Sequence, residues 1–437
     1  MKTKLLAFLV LGLLMAGFVY GGGGGQKAPQ GGGGTGLSAD QYKVTEPITI
    51  NWWHAFETPY LPTVDNIVDG FNKSQNLVTV VHRRVGNYDA VNESLVAAHA
   101  ANTGLPAVAV IGTAYIPAYG AGGLSEDLNP YAKATKYDLS DFGKGVLDAA
   151  SYEGRLVTLP FLLSTNVIFY NKTLAKSMGV QVPAKWSDMD AFMRNASKRS
   201  GNTTQLYAFG MPGFDHRYFE TFFTNNGVKI INPDGKTTDL DGPKSLDITR
   251  KLKEWCDAGY MSWAPNSERM RQDFVDGKTF AVSHTSSVYN VYEETCKFEV
   301  GMAWLPGGDT RFGGVMGNVI LIPAKASQKE KNAGWALLEY LTSKDINLTW
   351  TKLTGYMPTR KSILNTADGK QFIVDKPEFK VLMDNMDLII PRISHKAFDA
   401  VGRSWRSNLS EMINKNIDPA VQMKKAAQEI NEILADS

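Results

Sequence analysis

Short apolar or β-branched runs alternate with stretches of helical period in the first third of the chain. Residues 48–53, 78–83 and 107–111 are predicted strands, and residues 63–73 and 88–101 are predicted helices between them. This β-α-β-α-β order predicts a parallel sheet with helices on both faces. Ligands of such sheets bind beyond the carboxyl ends of the strands.

A second α/β series follows the turn at Glu153-Gly154-Arg155. It contains a predicted strand at 167–170, a helix at 172–178, and a helix at 187–197 that Ser187-Asp188 is expected to cap. Further strands are predicted at 280–283, 300–305 and 319–322, and the chain from residue 343 onward is mainly helical, ending in an amphipathic stretch at 419–434. Two α/β units are therefore expected in one chain.

The N-terminus has the layout of a secretory signal. Lys2 and Lys4 precede an uncharged run, residues 5–20, and small residues follow from Gly21. The run is short for a transmembrane helix, which needs about 20 residues, so a cleaved signal at residues 1–21 is favoured and an uncleaved anchor stays the alternative. Either way, the protein is expected to be exported to the periplasm or the outer face of the cytoplasmic membrane.

The segment at 22–43 is rich in glycine and poor in apolar side chains, and it is a predicted flexible tether. The remaining chain, of 437 residues in total and 43% hydrophobic, is long enough for two domains with buried cores. The formal net charge is only +2, so composition does not favour a nucleic-acid partner.

Cys256 and Cys296 are the only cysteines of the sequence. They can form a disulfide in an oxidising compartment or remain two buried free thiols, and both readings stay open. Because neither lies near residue 21, a lipid anchor is not expected. Two cysteines and six scattered histidines also make no recognisable metal-binding set.

Motifs of catalysis are missing from the sequence. There is no G-x-S-x-G elbow, no phosphate-binding loop and no H-E-x-x-H, so no catalytic residue, metal or cofactor is predicted. A carboxylate pair for glycoside cleavage needs only to meet in space. A secreted carbohydrate-active enzyme therefore remains an alternative function.

The sequence contains a series of short segments in a characteristic order. The segments are Asn51-Trp52-Trp53-His54, Gly86-Asn87-Tyr88, Leu159-Pro160-Phe161, residues 167–172, residues 274–282, Val300-Gly301-Met302 with Leu305-Pro306-Gly307, and residues 354–358. From about residue 48 to 425 the chain resembles the family 1 extracellular solute-binding proteins, which include binding proteins for maltose, other oligosaccharides and glycerol-3-phosphate.

This resemblance implies a two-lobed α/β fold of the periplasmic-binding-protein type, each lobe a sheet flanked by helices, with the ligand in the interlobe cleft. The expected lobes are 44–157 plus 288–345 and 158–287 plus 346–437, with crossings near 155–162, 283–290 and 340–350. The implied function is that of a monomeric receptor that closes on a small ligand and delivers it to the permease subunits of an ABC importer. A receptor that serves a sensor is the alternative.

The resemblance to the glycerol-3-phosphate-binding members also implies ligand contacts. The matching positions are Tyr88, Ser164, Ser286, Ser287, Gly317 and Tyr356. The departures are Thr113 in place of a glutamate, Met211, Phe214 and His216 in place of stacking tryptophans, and Lys396 near the phosphate-binding arginine. Lysine supplies a positive charge but lacks the bidentate fork of arginine.

Trp53 and His54, at a predicted strand end, and Arg392 are further candidates for the cleft. Each can equally be structural: Trp53 in the core, His54 as a satisfied buried histidine, and Arg392 and Lys396 as solvated charges. Sugars and polyols need hydrogen-bonding partners for their hydroxyls and rings for their C–H faces. The candidate set therefore predicts a carbohydrate-type ligand: a sugar, an oligosaccharide or a polyol phosphate such as glycerol-3-phosphate.

Overall fold

The computed structural model describes residues 39–437, so the expected signal at 1–21 and most of the expected tether lie outside the described residues. The first element is a 3₁₀ helix at Ala39–Tyr42. Tyr42 is buried, with its ring 4.6 Å from that of Tyr131, and the amide of Asn332 donates to the carbonyls of Gln41 and Lys43. The folded body therefore begins before residue 44, where the tether was expected to end.

The strands of the described chain form one mixed sheet. They are β1 (Ile48–His54), β2 (Val78–Arg84), β3 (Val108–Gly112), β4 (Leu159–Asn171), β5 (Lys198–Ser200), β6 (Thr203–Pro212), β7 (Met261–Ala264), β8 (Thr279–Thr285), β9 (Val300–Ala303), β10 (Gly313–Leu321) and β11 (Ile389–Ile390). The main path is β2-β1-β3-β10-β4-β8-β6-β5. β1 is parallel to both β2 and β3, which confirms the predicted parallel unit.

Helices flank this sheet along its length. They are α1 (Leu61–Ser74), α2 (Tyr88–Ala101), α3 (Ile116–Ala121), α4 (Asn129–Thr135), α5 (Lys144–Ala149), α6 (Lys172–Met178), α7 (Met189–Ala196), α8 (Glu220–Thr224), α9 (Pro243–Asp257), α10 (Ser267–Val275), α11 (Tyr289–Thr295), α12 (Gln328–Leu341), α13 (Lys344–Thr354), α14 (Ala367–Asp375), α15 (Lys380–Asp384), α16 (Phe398–Lys415) and α17 (Pro419–Ala435). None of those between residues 39 and 437 combines the length and apolar character needed to cross a bilayer.

Strand β4 joins the two halves of the sheet. Its residues up to Thr165 pair with β10, whereas those from Asn166 onward pair with β8 and β9. The first half is β2-β1-β3-β10 with the start of β4, and the second half is the end of β4 with β5 to β9. Strand β9 was expected in the first lobe, but it pairs with the end of β4 in the second half. The chain therefore returns to the first half only with β10. The lobe boundaries themselves stay a prediction.

Each half has its own hydrophobic cluster. Trp52, Trp335 and Trp350 are fully buried in the first half, and Phe209 and Trp405 are fully buried in the second. A third cluster, which includes Ile111 of β3, Phe169 of β4 and Val282 of β8, continues along both halves. Burial of this apolar surface is the main stabilising contribution to such a fold.

The structure corrects one local expectation, the cap of α7, and decides between the two readings left open for the cysteines. The N-cap of α7, Asp188, makes no side-chain cap, and the hydroxyl of Ser187 lies 3.2 Å from its carboxylate instead of bonding a backbone N–H. Cys256 and Cys296 are both free thiols, and burial raises the pKa of each to about 12.

Candidate functional site

A cavity of about 410 Å³ lies where the two halves of the sheet face each other. Its wall contains Thr113 and Pro117 from the first half, Val315 of β10, and Arg392 from the segment that leads into α16. A neighbouring cavity of about 430 Å³ shares Pro117 and Arg392 and adds Lys396. Three of the predicted residues, Thr113, Arg392 and Lys396, therefore line one continuous region.

Thr113 and Arg392 enter this region from opposite sides. Thr113 directly follows β3 and opens a 3₁₀ helix, so it lies at the carboxyl end of a parallel strand, where ligands of such sheets bind. The side chain of Arg392 is only 10% exposed, lies over the Phe398 ring, and has an ion-pair distance of 3.5 Å to Asp399. Its planar group carries five N–H donors, more than Asp399 can use. Lys396 is exposed.

Tyr88 and Tyr356 lie close to one another in the structure. Tyr88 is the first residue of α2, which Asn87 caps by accepting from the N–H of Ala90, and Tyr356 follows α13. Burial raises the pKa of Tyr88, and the neighbouring Tyr356 raises it further. The amide of Asn318 donates to the Tyr356 hydroxyl at 3.4 Å. Both hydroxyls remain neutral hydrogen-bonding groups at physiological pH.

Position 317 of β10 requires a glycine because β10 and β4 approach each other closely there. Its φ is +94°, and a Cβ there would overlap the carbonyl oxygen of Leu162 and lie 3.1 Å from the Tyr356 ring. The adjacent Met316 pairs with Ser164, which is buried in β4. Gly317 therefore allows the Tyr356 ring to lie against the crossing strands.

The two predicted serines differ in their surroundings. Ser286 is fully buried, and its hydroxyl accepts from the N–H of Thr165 at 3.3 Å, at the point where β4 changes partners. Ser287 is half-buried, with its hydroxyl 3.1 Å from that of Thr285. The hydroxyl of Ser286 thus supports the crossing strand, whereas that of Ser287 is the more accessible.

Trp53 and His54 are both buried, on opposite faces of β1. Trp53 is 8% exposed and lies beneath the guanidinium of Arg83. His54 accepts from the N–H of Phe56 at Nδ1, so its Nε2 carries the proton and donates to Nδ1 of His82 at 3.0 Å. Burial lowers the pKa of His54 to about 3. Neither residue lines the two cavities described above.

Phe214 and His216 lie on the second half, before α8. The carbonyl of Phe214 accepts from Arg406, and its ring meets that of Tyr218 edge-on at 5.9 Å. His216 is buried against Phe398, and burial lowers its pKa to about 4 although the neighbouring Asp215 opposes this shift.

Two residues that sequence reasoning missed adjoin the predicted set. Tyr218 stacks on His284, and burial raises its pKa to about 12. Glu220 has a side chain only 12% exposed, and burial raises its pKa to about 8 against the opposing charge of Arg392. The apolar neighbours of Glu220, in the run Phe219-Glu220-Thr221-Phe222-Phe223, were a usable signal of burial. Residues 39–437 contain no cluster of side chains suited to a metal ion.

Two α/β halves with a cavity between them define the class of two-lobed ligand-binding proteins. The family model described as bacterial extracellular solute-binding protein matches residues 66–381. The chain belongs to this family.

Relatives and solved structures agree with this assignment. The sn-glycerol-3-phosphate-binding periplasmic protein of Yersinia pseudotuberculosis is 27% identical over 78% of this chain and 80% of its own length. The sugar-binding protein MalE of Xanthomonas citri has a TM-score of 0.77 at 19% identity, covering 89% of this chain and 98% of that chain. UgpB of Mycobacterium tuberculosis, solved with glycerophosphocholine, has a TM-score of 0.73 at 20% identity, covering 90% and 99%. The fold of this chain is thus shared with the two solved structures.

Proposed function

We propose that the protein is the solute-binding receptor of an ABC importer and that it captures a carbohydrate-type ligand between its lobes. The observation that carries the proposal is the cavity lined by Thr113 and Pro117 from one half and Arg392 from the other. A ligand that touches both halves favours their closed arrangement by its differential affinity for that state. The membrane permease then recognises the closed receptor.

The polar groups around the cavity support a ligand rich in hydroxyls. Thr113, Ser151 and Ser394 line the cavity with neutral hydroxyl groups, which exchange hydrogen bonds with sugar or polyol hydroxyls in place of water. The rings of Tyr152 and Phe398, at the neighbouring cavity, offer apolar faces for C–H groups. These groups suit a sugar, an oligosaccharide or a polyol phosphate.

Arg392 is the side chain best suited to a phosphate group in this proposal. Its side chain is largely buried beside the cavity, whereas Lys396 is exposed. A guanidinium binds a phosphate through two parallel N–H donors, which an ammonium cannot do. Arg392 thereby takes the part that the sequence resemblance assigned to the neighbourhood of Lys396.

Binding and release require no covalent step in this account. The relatives named above are binding proteins, and the family is extracellular, which supports an exported receptor on the periplasmic or outer face of the cytoplasmic membrane. The proposed partners are the ligand and the two permease subunits, and the receptor acts as a monomer.

A thermal-shift panel tests the proposal. The purified protein is heated with maltose, maltotetraose, glycerol-3-phosphate, glycerophosphocholine, amino acids and short peptides. A ligand at 100 times its Kd stabilises the folded state by about 2.7 kcal/mol, so a true ligand raises Tm measurably. We expect at least one sugar or phosphate ester to do so. Stabilisation by amino acids or peptides alone would contradict the proposal.

Matched tyrosine variants locate the effect within the molecule. Tyr356→Phe removes one hydroxyl from a ring that lies against β10, the strand that brings Val315 to the cavity. We expect about 3- to 10-fold weaker binding of the stabilising ligand, the range typical of one lost hydrogen bond. Tyr340→Phe removes the hydroxyl of a tyrosine in α12, and the ring of this tyrosine packs on Phe71 of α1. That control is expected to bind like the wild type. Equal affinities for all three proteins would place the ligand elsewhere.

A further inference from the structure

Glu220 is a carboxyl group without a hydrogen-bond partner for one of its oxygens. It opens α8, directly after the 3₁₀ helix at His216–Tyr218. Its side chain is 12% exposed, and Oε2 is buried with no partner within the described part of the chain. Buried polar atoms of native proteins are nearly always hydrogen-bonded, so an unpartnered carboxyl oxygen requires an explanation.

Three more unpartnered polar atoms surround this carboxyl group. Nε2 of His216 lies 3.9 Å from Oε2 of Glu220, and Oγ1 of Thr221 and Oδ1 of Asn166 belong to side chains at most 2% exposed. All three atoms lack a hydrogen-bond partner among residues 39–437. Asn166 is held in place because its amide donates to the carbonyl of Arg217. Four such atoms, on β4, on the 3₁₀ helix at His216–Tyr218 and on α8, point to a partner outside the protein chain.

The cluster adjoins the cavity between the two halves. A Cβ on Gly314 of β10 would lie 3.6 Å from Oε1 of Glu220 and 3.8 Å from Thr221. The next residue, Val315, lines the cavity together with Thr113 and Arg392. The carboxyl of Glu220 therefore lies against β10, and the His216 ring packs edge-on against Phe398, which lines the neighbouring cavity together with Arg392.

Charges around Glu220 are mixed, so the cluster has no strong single sign. The charged or titratable groups that face it are His216, Asp215 and Arg217 on the preceding turn, and Arg392 and Asp399 on the segment leading into α16. Arg217 is already paired with Asp215. A neutral group with its own donors and acceptors, such as a hydroxyl, fits these surroundings better than an ion does.

We propose that Glu220 and His216 form a hydroxyl-binding subsite of the cavity, in which Glu220 selects ligands with free hydroxyl groups next to the group held by Arg392. The inference rests on the proposed function. Thr113 is neutral, and Glu220 adds an acidic hydrogen-bonding group from the second half to the one that Glu153 brings to the cavity wall from the first half. A carboxyl group can both accept from and, when protonated, donate to a ligand hydroxyl.

Glu220→Gln tests the subsite because it keeps the shape of the side chain. Titrations use maltose, glycerol and sn-glycerol-3-phosphate as hydroxyl-bearing probes and inorganic phosphate as a probe without carbon-bound hydroxyls. We expect about tenfold weaker binding of the hydroxyl-bearing probes that bind the wild type, the effect of about 1.4 kcal/mol. Affinity for inorganic phosphate should be unchanged. His216→Gln, as a second variant, should weaken the same probes.

Stability provides a readout that a merely structural role would not give. Burial disfavours the charged form of Glu220 in the folded state, so Glu220→Gln should raise the Tm of the unliganded protein at pH 7.5 while affinity falls. Glu339→Gln is the matched control, since Glu339 is a glutamate of α12 bonded to Trp335 and Thr135. It should leave the affinity for every probe unchanged.

The possible failures are distinguishable. Unchanged affinity of Glu220→Gln for a probe that binds the wild type would overturn the subsite and leave the proposed function intact. Parallel loss of Tm and of affinity for all probes, inorganic phosphate included, would also overturn it, because Glu220 would then be structural. If no hydroxyl-bearing probe binds the wild type, both the subsite and the proposed carbohydrate ligand are wrong.

Discussion

Single residues of the site divide into those whose role the sequence could indicate and those that only the fold reveals. Tyr88 and Tyr356 are 268 positions apart by number yet adjacent in space, and a characteristic motif marked each of them. Glu220 carried no such motif. Its carboxyl becomes unusual only when β10 and the segment before α16 pack around it, which no local pattern encodes.

His54 illustrates the opposite case. A histidine after two tryptophans at a strand end was a reasonable candidate for the cleft. In the structure it is fully buried and hydrogen-bonded at both ring nitrogens, to Phe56 and to His82. His82 is in turn hydrogen-bonded to Asp65. The partners come from β2 and α1, so only their packing distinguishes a structural histidine from a ligand-binding one.

Acid should destabilise the protein between pH 6.5 and about 4, through its buried histidines. Burial holds the pKa of His54 at about 3, that of His216 at about 4 and that of His284 at about 3. Unfolded chains bind protons at these rings as pH falls through 6.5, whereas the folded chain does not. Their contribution to stability is therefore complete above pH 6.5 and is lost as pH falls towards these lower values.

The ionisation of Glu220 changes stability with pH in the opposite direction, so the measurement uses Glu220→Gln, which removes this ionisation. The raised pKa of Glu220, about 8, gives stability that is present below pH 4.5 and lost as pH rises through 8. Urea unfolding of the variant at pH 7.5, 6.5, 5.5 and 4.5 should show a steadily falling free energy of unfolding. His284→Phe in the same background should flatten this dependence. A free energy of unfolding that stays constant down to pH 4.5 would show that these rings do not remain neutral.

At the scale of elements, the alternation of strands and helices predicted the first β-α-β-α-β unit closely. Helix α2 has the predicted bounds, β1 and β2 each end one residue later than predicted, and β3 is shifted by one residue at both ends. Strand β4 was predicted only at 167–170 but spans Leu159–Asn171. Its centre, Ser164-Thr165-Asn166, is polar yet buried, because its backbone pairs with β10 and then with β8. A strand whose buried residues are polar lacks the hydrophobic pattern from which strands are predicted.

Gly317→Ala tests the close approach of β4 and β10. The added Cβ overlaps the carbonyl oxygen of Leu162, and an alanine is strained at the φ of +94° that residue 317 adopts. Together these effects should destabilise the variant by about 1–3 kcal/mol. Gly104→Ala is the matched control, since its φ is +70° but no atom lies within 4 Å of the added Cβ. Chemical unfolding should show a larger loss at Gly317. Equal losses at the two positions would mean that the strands do not approach closely there.

At the scale of the whole molecule, the position of the cavity follows from the sheet. Strand β3 of the first half ends at Gly112, directly before Thr113, and β10 passes alongside. The segment before α16 brings Arg392, which packs on Phe398 of the second half. The sequence predicted two α/β units and a site between them, but the place where the chain crosses depended on strand pairing. Pairing involves residues more than 100 positions apart, such as Ser164 with Met316, and local patterns carry little information about it.

The chemical nature of the proposed ligand follows from the same arrangement. Two adjoining cavities with the volume of a small ligand are lined by the hydroxyls of Thr113, Ser151 and Ser394, the rings of Tyr152 and Phe398, and the largely buried Arg392. Closure of two lobes over such a site needs only a few kcal/mol of differential binding. The receptor function therefore requires no chemistry beyond hydrogen bonding and packing.

Mass spectrometry of the small molecules released by heat from the purified protein tests the central claim most directly. The account predicts one carbohydrate or polyol phosphate, released chemically unchanged and missing from the Arg392→Ala, Tyr88→Ala double variant prepared in the same way. Release of an amino acid or peptide, or recovery of the same compound in equal amount from the double variant, would contradict it.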